Sequence, residues 1–315
     1  MSNTITLAST RGLSREDWLA VRRRGIGSSD AAAVVGLSPY TSRLALYLDK
    51  CGEMPDEEQN EYMHLGNLLE PIVAGLFERR TGMKPKRRNA VLASKQYPFM
   101  IANLDRVLPA RNGDGPGLLE CKTTGASKRD LWEDDQAPLA AVVQVQHQLA
   151  VTGYTWAYLA VLIGGNNFKW TLVQRDEDLI AGLIEQEAEF WRCVEAREPD
   201  PAWIDGSDST SAALKVLYPQ SVPESRVVLG LDGARLVSDF IAAQAREKSA
   251  AEAKDEAANR LKDLLGESEA GYLPGYERPV VTWRTSVTHR WDVKALEAKR
   301  PDLKRKYSST STSRR

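Results

Sequence analysis

The segment GLLECKTT, residues 117–124, sets a glutamate and a lysine two apart in an otherwise apolar run. Side chains alternate along a strand, so Glu120 and Lys122 share one face and Cys121 points to the other. Charge on a strand flanked by Leu118 and Leu119 is costly unless it meets partners. The preceding stretch offers them. FMIANLDRVL reads as a second strand, joined to the first by PARNGDGP. Its Asn112-Gly113 centre is a tight-turn signal, and Pro109 and Pro116 widen the loop about that centre. A hairpin centred there sets Asp105 directly opposite Glu120, with Cβ atoms about 5 Å apart. Lys122 lies one diagonal step away.

Two carboxylates so close repel unless a cation sits between them. Mg²⁺ suits that place because it takes hard oxygen ligands and keeps several waters. It would also make a bound water a better nucleophile. A neighbouring lysine can orient that water or stabilise charge on a phosphate. Asp105 followed by Glu120-x-Lys122 is therefore a set for metal-assisted phosphodiester hydrolysis. The competing reading is a surface cluster of Asp, Glu and Lys, since E-x-K is common by chance. The apolar neighbours and the hairpin register strengthen the site reading, but the surface cluster still leads until the order of motifs along the chain is considered.

Composition narrows the rest. With 315 residues and 42% hydrophobic content, the chain can form one large domain plus an appendage. No stretch approaches the roughly 20 apolar residues of a membrane span, and the start lacks an apolar signal core. Three scattered cysteines suggest a reducing compartment and leave no set for a disulfide framework or an iron–sulfur cluster. A cytoplasmic protein is expected. A net charge of −1 does not announce nucleic-acid binding. The basic residues are nevertheless clumped, at Arg22–Arg24, Lys84–Arg88, Lys128-Arg129, Lys304–Lys306 and Arg314-Arg315. They would make a DNA-binding face only by converging.

Helix and strand signals alternate up to about residue 200. REDWLAVRRRG reads as a helix ending at Gly25, and SSDAAAVVG as another with Ser28, Ser29 and Asp30 as capping types. In LGNLLEPIVAGLFERRTG, residues Leu65, Leu68, Leu69, Ile72, Val73, Leu76 and Phe77 form an apolar stripe expected to be buried. Pro71 marks either its first turn or a kink. A helix over 137–151, a hairpin from YTWAYLAVLIGG and FKWTLVQRD, and a long amphipathic helix follow. The Pro- and Ser-rich stretch 199–226 marks a boundary. Two domains are expected, 1–205 and 206–315. The second would hold a long Ala- and charge-rich helix over 233–266, one strand at RPVVTWRTS, and a polar basic tail.

RRRGIGSSDAAAVVGLSPY, LGNLLEP, ANLDRV, LLECKTT and QVQHQLAVTG occur in that order. Over roughly residues 15–200 the chain thereby resembles the YqaJ-type viral recombinase and lambda-exonuclease family. The resemblance implies an α/β, restriction-endonuclease-like PD-(D/E)xK core: a central mixed β-sheet flanked by helices, here with a helical C-terminal extension. It implies a Mg²⁺-dependent, phage- or prophage-encoded 5′-to-3′ exonuclease acting on linear double-stranded DNA. Its products would be 5′-mononucleotides and 3′ overhangs for recombination by strand annealing. By the same resemblance Asp105, Glu120 and the Cys121 backbone carbonyl would hold one or two Mg²⁺ ions, with Mn²⁺ able to substitute. Lys122 would be the catalytic lysine, Glu70 an acidic residue near the metals, and Gln144 a glutamine beside the centre. Arg22 and Ser29 would bind the DNA 5′-phosphate, with Arg23 or Arg24 as alternatives to Arg22. A Ser-rich helix N-terminus offers N–H groups to such an anion. A homotrimeric ring and a phage single-strand annealing protein are the implied partners, with no membrane.

The chain departs from the family pattern in two places. Leu104 stands where the motif has proline, and LASKQYPFM offers no counterpart to a further upstream acidic residue. Gln148 lies one turn on from Gln144 with His147 beside it, so one polar helix face could line the cleft, but a solvated helix face is the expected place of His147 and Gln148. The alternatives are a same-core endonuclease or nonprocessive repair nuclease, and a DNA-end-binding recombination scaffold without catalysis.

Overall fold

The computed structural model describes residues 3–55, 60–111, 113–133, 136–289 and 292–307. Asn112 of the expected turn, and the tail from residue 308, lie outside the described residues. The chain divides into two compact units, Met1–Pro219 and Gln220–Arg315.

In the first unit the elements run β1 (Thr4–Ser9), α1 (Arg15–Arg22), β2 (Ile26–Gly27), α2 (Ala31–Val34), α3 (Arg43–Cys51), α4 (Glu61–Thr81), β3 (Ala90–Ser94), β4 (Met100–Asn103), β5 (Arg106–Leu108), β6 (Gly117–Thr124), α5 (Leu139–Thr152), β7 (Trp156–Ile163), β8 (Asn167–Gln174), α6 (Glu177–Ala196) and α7 (Asp208–Leu217). Two four-stranded sheets result, ordered β1-β3-β4-β2 and β5-β6-β7-β8. Both are mixed. β2 runs parallel to β4 and β6 parallel to β7, while the other neighbours are antiparallel. Parallel neighbours need a long crossover, and α5 supplies it between β6 and β7. Its apolar residues Val145, Leu149 and Val151 join β3, β4 and β7 in the largest buried cluster. The expected α/β architecture, a mixed sheet flanked by helices, is what forms.

The hairpin register is the one the sequence sets: Arg106 pairs with Leu119, Val107 with Leu118 and Leu108 with Gly117. FMIANLDRVL, however, is not one strand. It breaks at Leu104-Asp105 into β4 and β5, which belong to different sheets. Asp105 thus sits just outside the ladder it was expected to join.

Gly117 begins β6 beneath Trp156. A Cβ there would lie 2.5 Å from three ring atoms of the indole. Trp156 is fully buried, donates to the Gly115 carbonyl at 3.1 Å, and lies under the Arg111 guanidinium. The ring has nowhere to retreat. Gly117→Ala is expected to cost about 1–3 kcal/mol through overpacking. Thermal denaturation measures this, and an unchanged melting temperature would contradict it.

α4 departs from expectation in burial. Val73, Ala74 and Phe77 are buried, but Leu65, Leu68 and Ile72 are about half exposed. Only the C-terminal half of the stripe meets the sheet, through β6, β7 and β8. Pro71 lies inside the helix, not at its first turn. α7 packs on α3, with Thr210 and Ala213 buried. That packing places the division after α7, whereas the composition of the chain put it near residue 205.

The second unit contains α8 (Gly230–Leu265), β9 (Ala270–Gly271), β10 (Val281–Thr282), α9 (Val293–Lys299) and α10 (Pro301–Tyr307). α8 covers the expected long helix. Of its stripe, Leu265 is buried, against β9 and β10, while Leu236 and Phe240 are exposed. RPVVTWRTS yields only the two-residue β10, because its partner β9 is equally short. No helix among the described residues is long and apolar enough to cross a membrane.

Candidate active site

A cleft of about 1040 Å³ in the first unit is lined by Arg22, Ser29, Glu70, Asp105, Glu120 and Lys122, among others. The sequence-derived candidates therefore converge, although α1, the turn after β2, α4, the β4–β5 link and β6 are separate segments of the chain.

Glu120 is its best-anchored member. It is 4% exposed, and both of its oxygens are engaged. Gln144 Nε2 donates to Oε1 at 2.6 Å and Gln148 Nε2 donates to Oε2 at 2.8 Å. Lys122 Nζ lies 2.9 Å from Oε1 and donates to Gln144 Oε1 at 2.7 Å. Gln144 and Gln148 are one helical turn apart, so they reach Glu120 from a single face of α5. Burial pushes the Lys122 ammonium toward losing its proton, but the Glu120 carboxylate outweighs burial and raises its pKa. In the metal-free site this favours the ammonium form of Lys122.

Asp105 reaches the same place by leaving the ladder. Its Oδ2 accepts the Cys121 N–H at 2.8 Å, so its carboxylate replaces the strand that β5 no longer supplies. A strand residue directs its N–H and C=O to the same side. The Cys121 carbonyl is accordingly aimed at the edge occupied by Asp105. Burial, and then the charge of Glu120, push the Asp105 carboxyl well above the usual carboxylate range.

That repulsion is what a cation would relieve. Two carboxylates and a backbone carbonyl, completed by water, form an all-oxygen set suited to Mg²⁺. Among the described residues no group of three His, Cys, Asp or Glu side chains is placed to hold an ion, so the fit rests on these three donors. Glu70 lines the cleft, but the buried Arg106 pairs with its Oε1 and Arg87 stands 3.9 Å away. Arg106 also donates to the Asp105 carbonyl at 2.5 Å. It ties the two acidic residues together without contributing a ligand.

Asp105→Asn would remove the repulsion and keep an acceptor for the Cys121 N–H. The metal-free protein is expected to gain about 1 kcal/mol at neutral pH, with less gain toward acid, because protonation of the native Asp105 itself relieves the repulsion as pH falls. Urea denaturation with chelator present, at pH 5 and pH 8, measures this. A loss of stability at pH 8 would contradict it.

At the other end of the cleft Arg22 donates to Asp30 Oδ1 at 2.5 Å and lies 5.3 Å over the Trp18 ring. Lys50 Nζ, fully buried, meets Asp30 Oδ2 at 2.6 Å and the Arg22 carbonyl at 3.0 Å. Burial pushes the Asp30 carboxyl up, but Lys50 and Arg22 overcome it and hold the carboxyl far below the usual range. Of the three arginines, Arg22 lines the cleft, Arg23 turns to Asp49, and Arg24 is exposed elsewhere. α2 is a single turn of four residues, and its cap position holds Asp30, whose carboxylate is spent on Arg22 and Lys50.

Residues 17–155 match the YqaJ-like viral recombinase domain. Over 312 residues the chain is 36% identical to the uncharacterised protein YqaJ of Bacillus subtilis (strain 168), covering 98% of this chain and 95% of that one. The chain belongs to the YqaJ-like viral recombinase family. Solved structures resemble it more distantly. An alkaline exonuclease from Laribacter hongkongensis aligns with TM-score 0.47 and 19% identity over 58% of this chain and 93% of its own. A phage-related exonuclease from Haemophilus somnus 129PT aligns at 0.44 and 12%, over 55% and 94%.

Several residues in and around this cleft escaped sequence reasoning. His147 and Gln148, expected in solvent, are 0% and 1% exposed. α5 is covered by α2, α6, β3, β4 and β7, so its polar residues face protein on every side. The signal for Gln148 was its i, i+4 spacing from Gln144. Lys50 and Arg106 carried no local signal, because their partners are distant or on another element.

Proposed function

We infer that this chain is a Mg²⁺-dependent 5′-to-3′ exonuclease on linear double-stranded DNA, releasing 5′-mononucleotides and leaving 3′ single strands. The observation carrying the reading is the convergence of Asp105, Glu120 and Lys122 in the cleft that also holds Arg22 and Ser29. Membership of the YqaJ-like viral recombinase family is consistent with it. Arg22 clamps the terminal 5′-phosphate, since a guanidinium binds phosphate through parallel N–H groups, and the Ser29 hydroxyl adds a donor. Asp105, Glu120 and the Cys121 carbonyl hold the cation. When bound, the cation supplies Lewis acidity toward water and phosphate oxygen. Lys122 stays protonated and stabilises charge developing on the scissile phosphate. Gln144 fixes the Lys122 ammonium and Glu120 together, while Glu70, neutralised by Arg106, lines the wall. A homotrimeric ring and a strand-annealing partner belong to the same reading.

The test is nucleotide release from linear duplex DNA bearing either a 5′-phosphate or a 5′-hydroxyl, with Mg²⁺ or with chelator. Mg²⁺-dependent release of 5′-mononucleotides that prefers the phosphorylated end is expected. Release from closed circles would indicate an endonuclease, and metal-independent end binding with no release would indicate a scaffold.

A further inference from the structure

Gln148 is the best-buried side chain that hydrogen-bonds Glu120, and nothing in the proposed chemistry requires it. At 1% exposure a glutamine must find partners for its amide. It finds Glu120 Oε2 at 2.8 Å, and the same nitrogen stands 3.5 Å from Ser28 Oγ. Ser28 is itself buried and begins the Ser28–Asp30 turn. That turn carries Ser29 at its exposed middle and ends on Asp30, the carboxylate that holds Arg22. The two halves of the cleft are thus joined through one amide.

The amide suits this place chemically. It gives up hydrogens without carrying charge, so it orients Glu120 and leaves the net charge of the metal site unchanged. Gln144 cannot substitute, because its nitrogen is committed to Oε1 and its oxygen to Lys122. Without Gln148, Oε2 would be a buried carboxylate oxygen lacking its donor, and the carboxylate could rotate.

We propose that Gln148 is a positioning residue that fixes Glu120 Oε2 for metal binding and links that carboxylate to the Ser28–Asp30 turn. The proposal rests on the nuclease reading for its DNA arm, whereas its metal arm stands on binding alone. Partners that orient a metal-binding carboxylate typically matter about 10–100-fold in affinity. Gln148→Met keeps the size and loses the donor, so Mn²⁺ binding to the full chain, measured by calorimetry, should weaken by that factor. The preference for a 5′-phosphorylated over a 5′-hydroxyl end should fall as well. A merely structural loss would slow both substrates alike and leave that ratio unchanged. Ser28→Ala breaks only the weaker link. It should lower the ratio by about 2–10-fold and leave Mn²⁺ affinity as in wild type. If Met at this position prevents folding, Gln148→Asn, whose shorter amide falls short of Glu120, carries the same expectation. Wild-type Mn²⁺ affinity in a folded Gln148 variant overturns the proposal, and an unchanged ratio in Ser28→Ala overturns the link to the turn. Failure of the nuclease reading would appear separately, as wild-type protein that binds Mn²⁺ and releases no nucleotide.

Discussion

Lys122→Ala is expected to lower Mg²⁺-dependent nucleotide release by about 10²–10³-fold, the usual cost of removing one preorganised electrostatic group from a reacting centre. The Lys122 ammonium is held at 2.9 Å from Glu120 Oε1 and 2.7 Å from Gln144 Oε1, so its position is set before any substrate arrives. In the metal-free protein burial opposes the charge of Lys122, and the neighbouring carboxylates, Glu120 foremost, raise its pKa against it. Lys122→Arg keeps the charge but spreads it over a planar fork that does not fit between two oxygens spaced for an ammonium. It should recover only part of the loss. Metal binding gives the control. Removing a cation beside Glu120 should leave Mn²⁺ affinity unchanged or tighter, so a variant that binds Mn²⁺ normally and turns over slowly would place the defect in chemistry. Turnover within about threefold of wild type would remove Lys122 from the mechanism.

The parts of this site that were legible in the sequence are those fixed by local geometry. The Asn112-Gly113 centre set the β5–β6 register, which in turn brought Asp105 beside Glu120. The alternation along GLLECKTT put Glu120 and Lys122 on one face. What could not be read was set by packing between distant elements. The chain breaks after Asn103 because β4 completes one sheet and β5 begins another, and FMIANLDRVL carries no Gly or Pro to announce it. The α4 stripe was periodic along its whole length, yet periodicity states only which residues share a face. Whether Leu65 and Leu68 are covered depends on how far the sheet extends beneath them. The partners of Asp30 come from α1 and α3, and those of His147 from α6 and β4. Such long-range pairs leave no spacing to detect.

His147 provides the largest expected effect on stability. Its Nδ1 lies 2.8 Å from Glu187 Oε1 and its Nε2 lies 2.9 Å from the Ile101 carbonyl, with both side chains fully buried. Two acceptors on one imidazole require two N–H groups, which only the protonated ring has. Burial opposes that charge, but Glu187, the Ile101 carbonyl and Asp30 prevail and raise the His147 pKa. The ion pair joins α5 to α6 and holds α5 over β4. His147→Ala would leave the Glu187 carboxylate buried and unpaired, and Glu187 Oε2 already lacks a hydrogen-bond partner. Breaking such a pair from one side costs about 3–5 kcal/mol, or roughly 10 °C in melting temperature for a unit of this size. The double variant His147→Ala/Glu187→Leu removes both charges and should be more stable than His147→Ala, because the desolvated carboxylate is gone. The pH dependence has a fixed sign. A histidine whose folded pKa is raised contributes its full stabilisation below the unfolded value of about 6.5 and loses it as pH rises through the folded value. The stability gap between wild type and the double variant should therefore be widest in mild acid and narrow toward alkaline pH. Urea denaturation of the three proteins at pH 6 and pH 9 decides it. A gap that widens with pH would show that His147 is neutral in the folded protein.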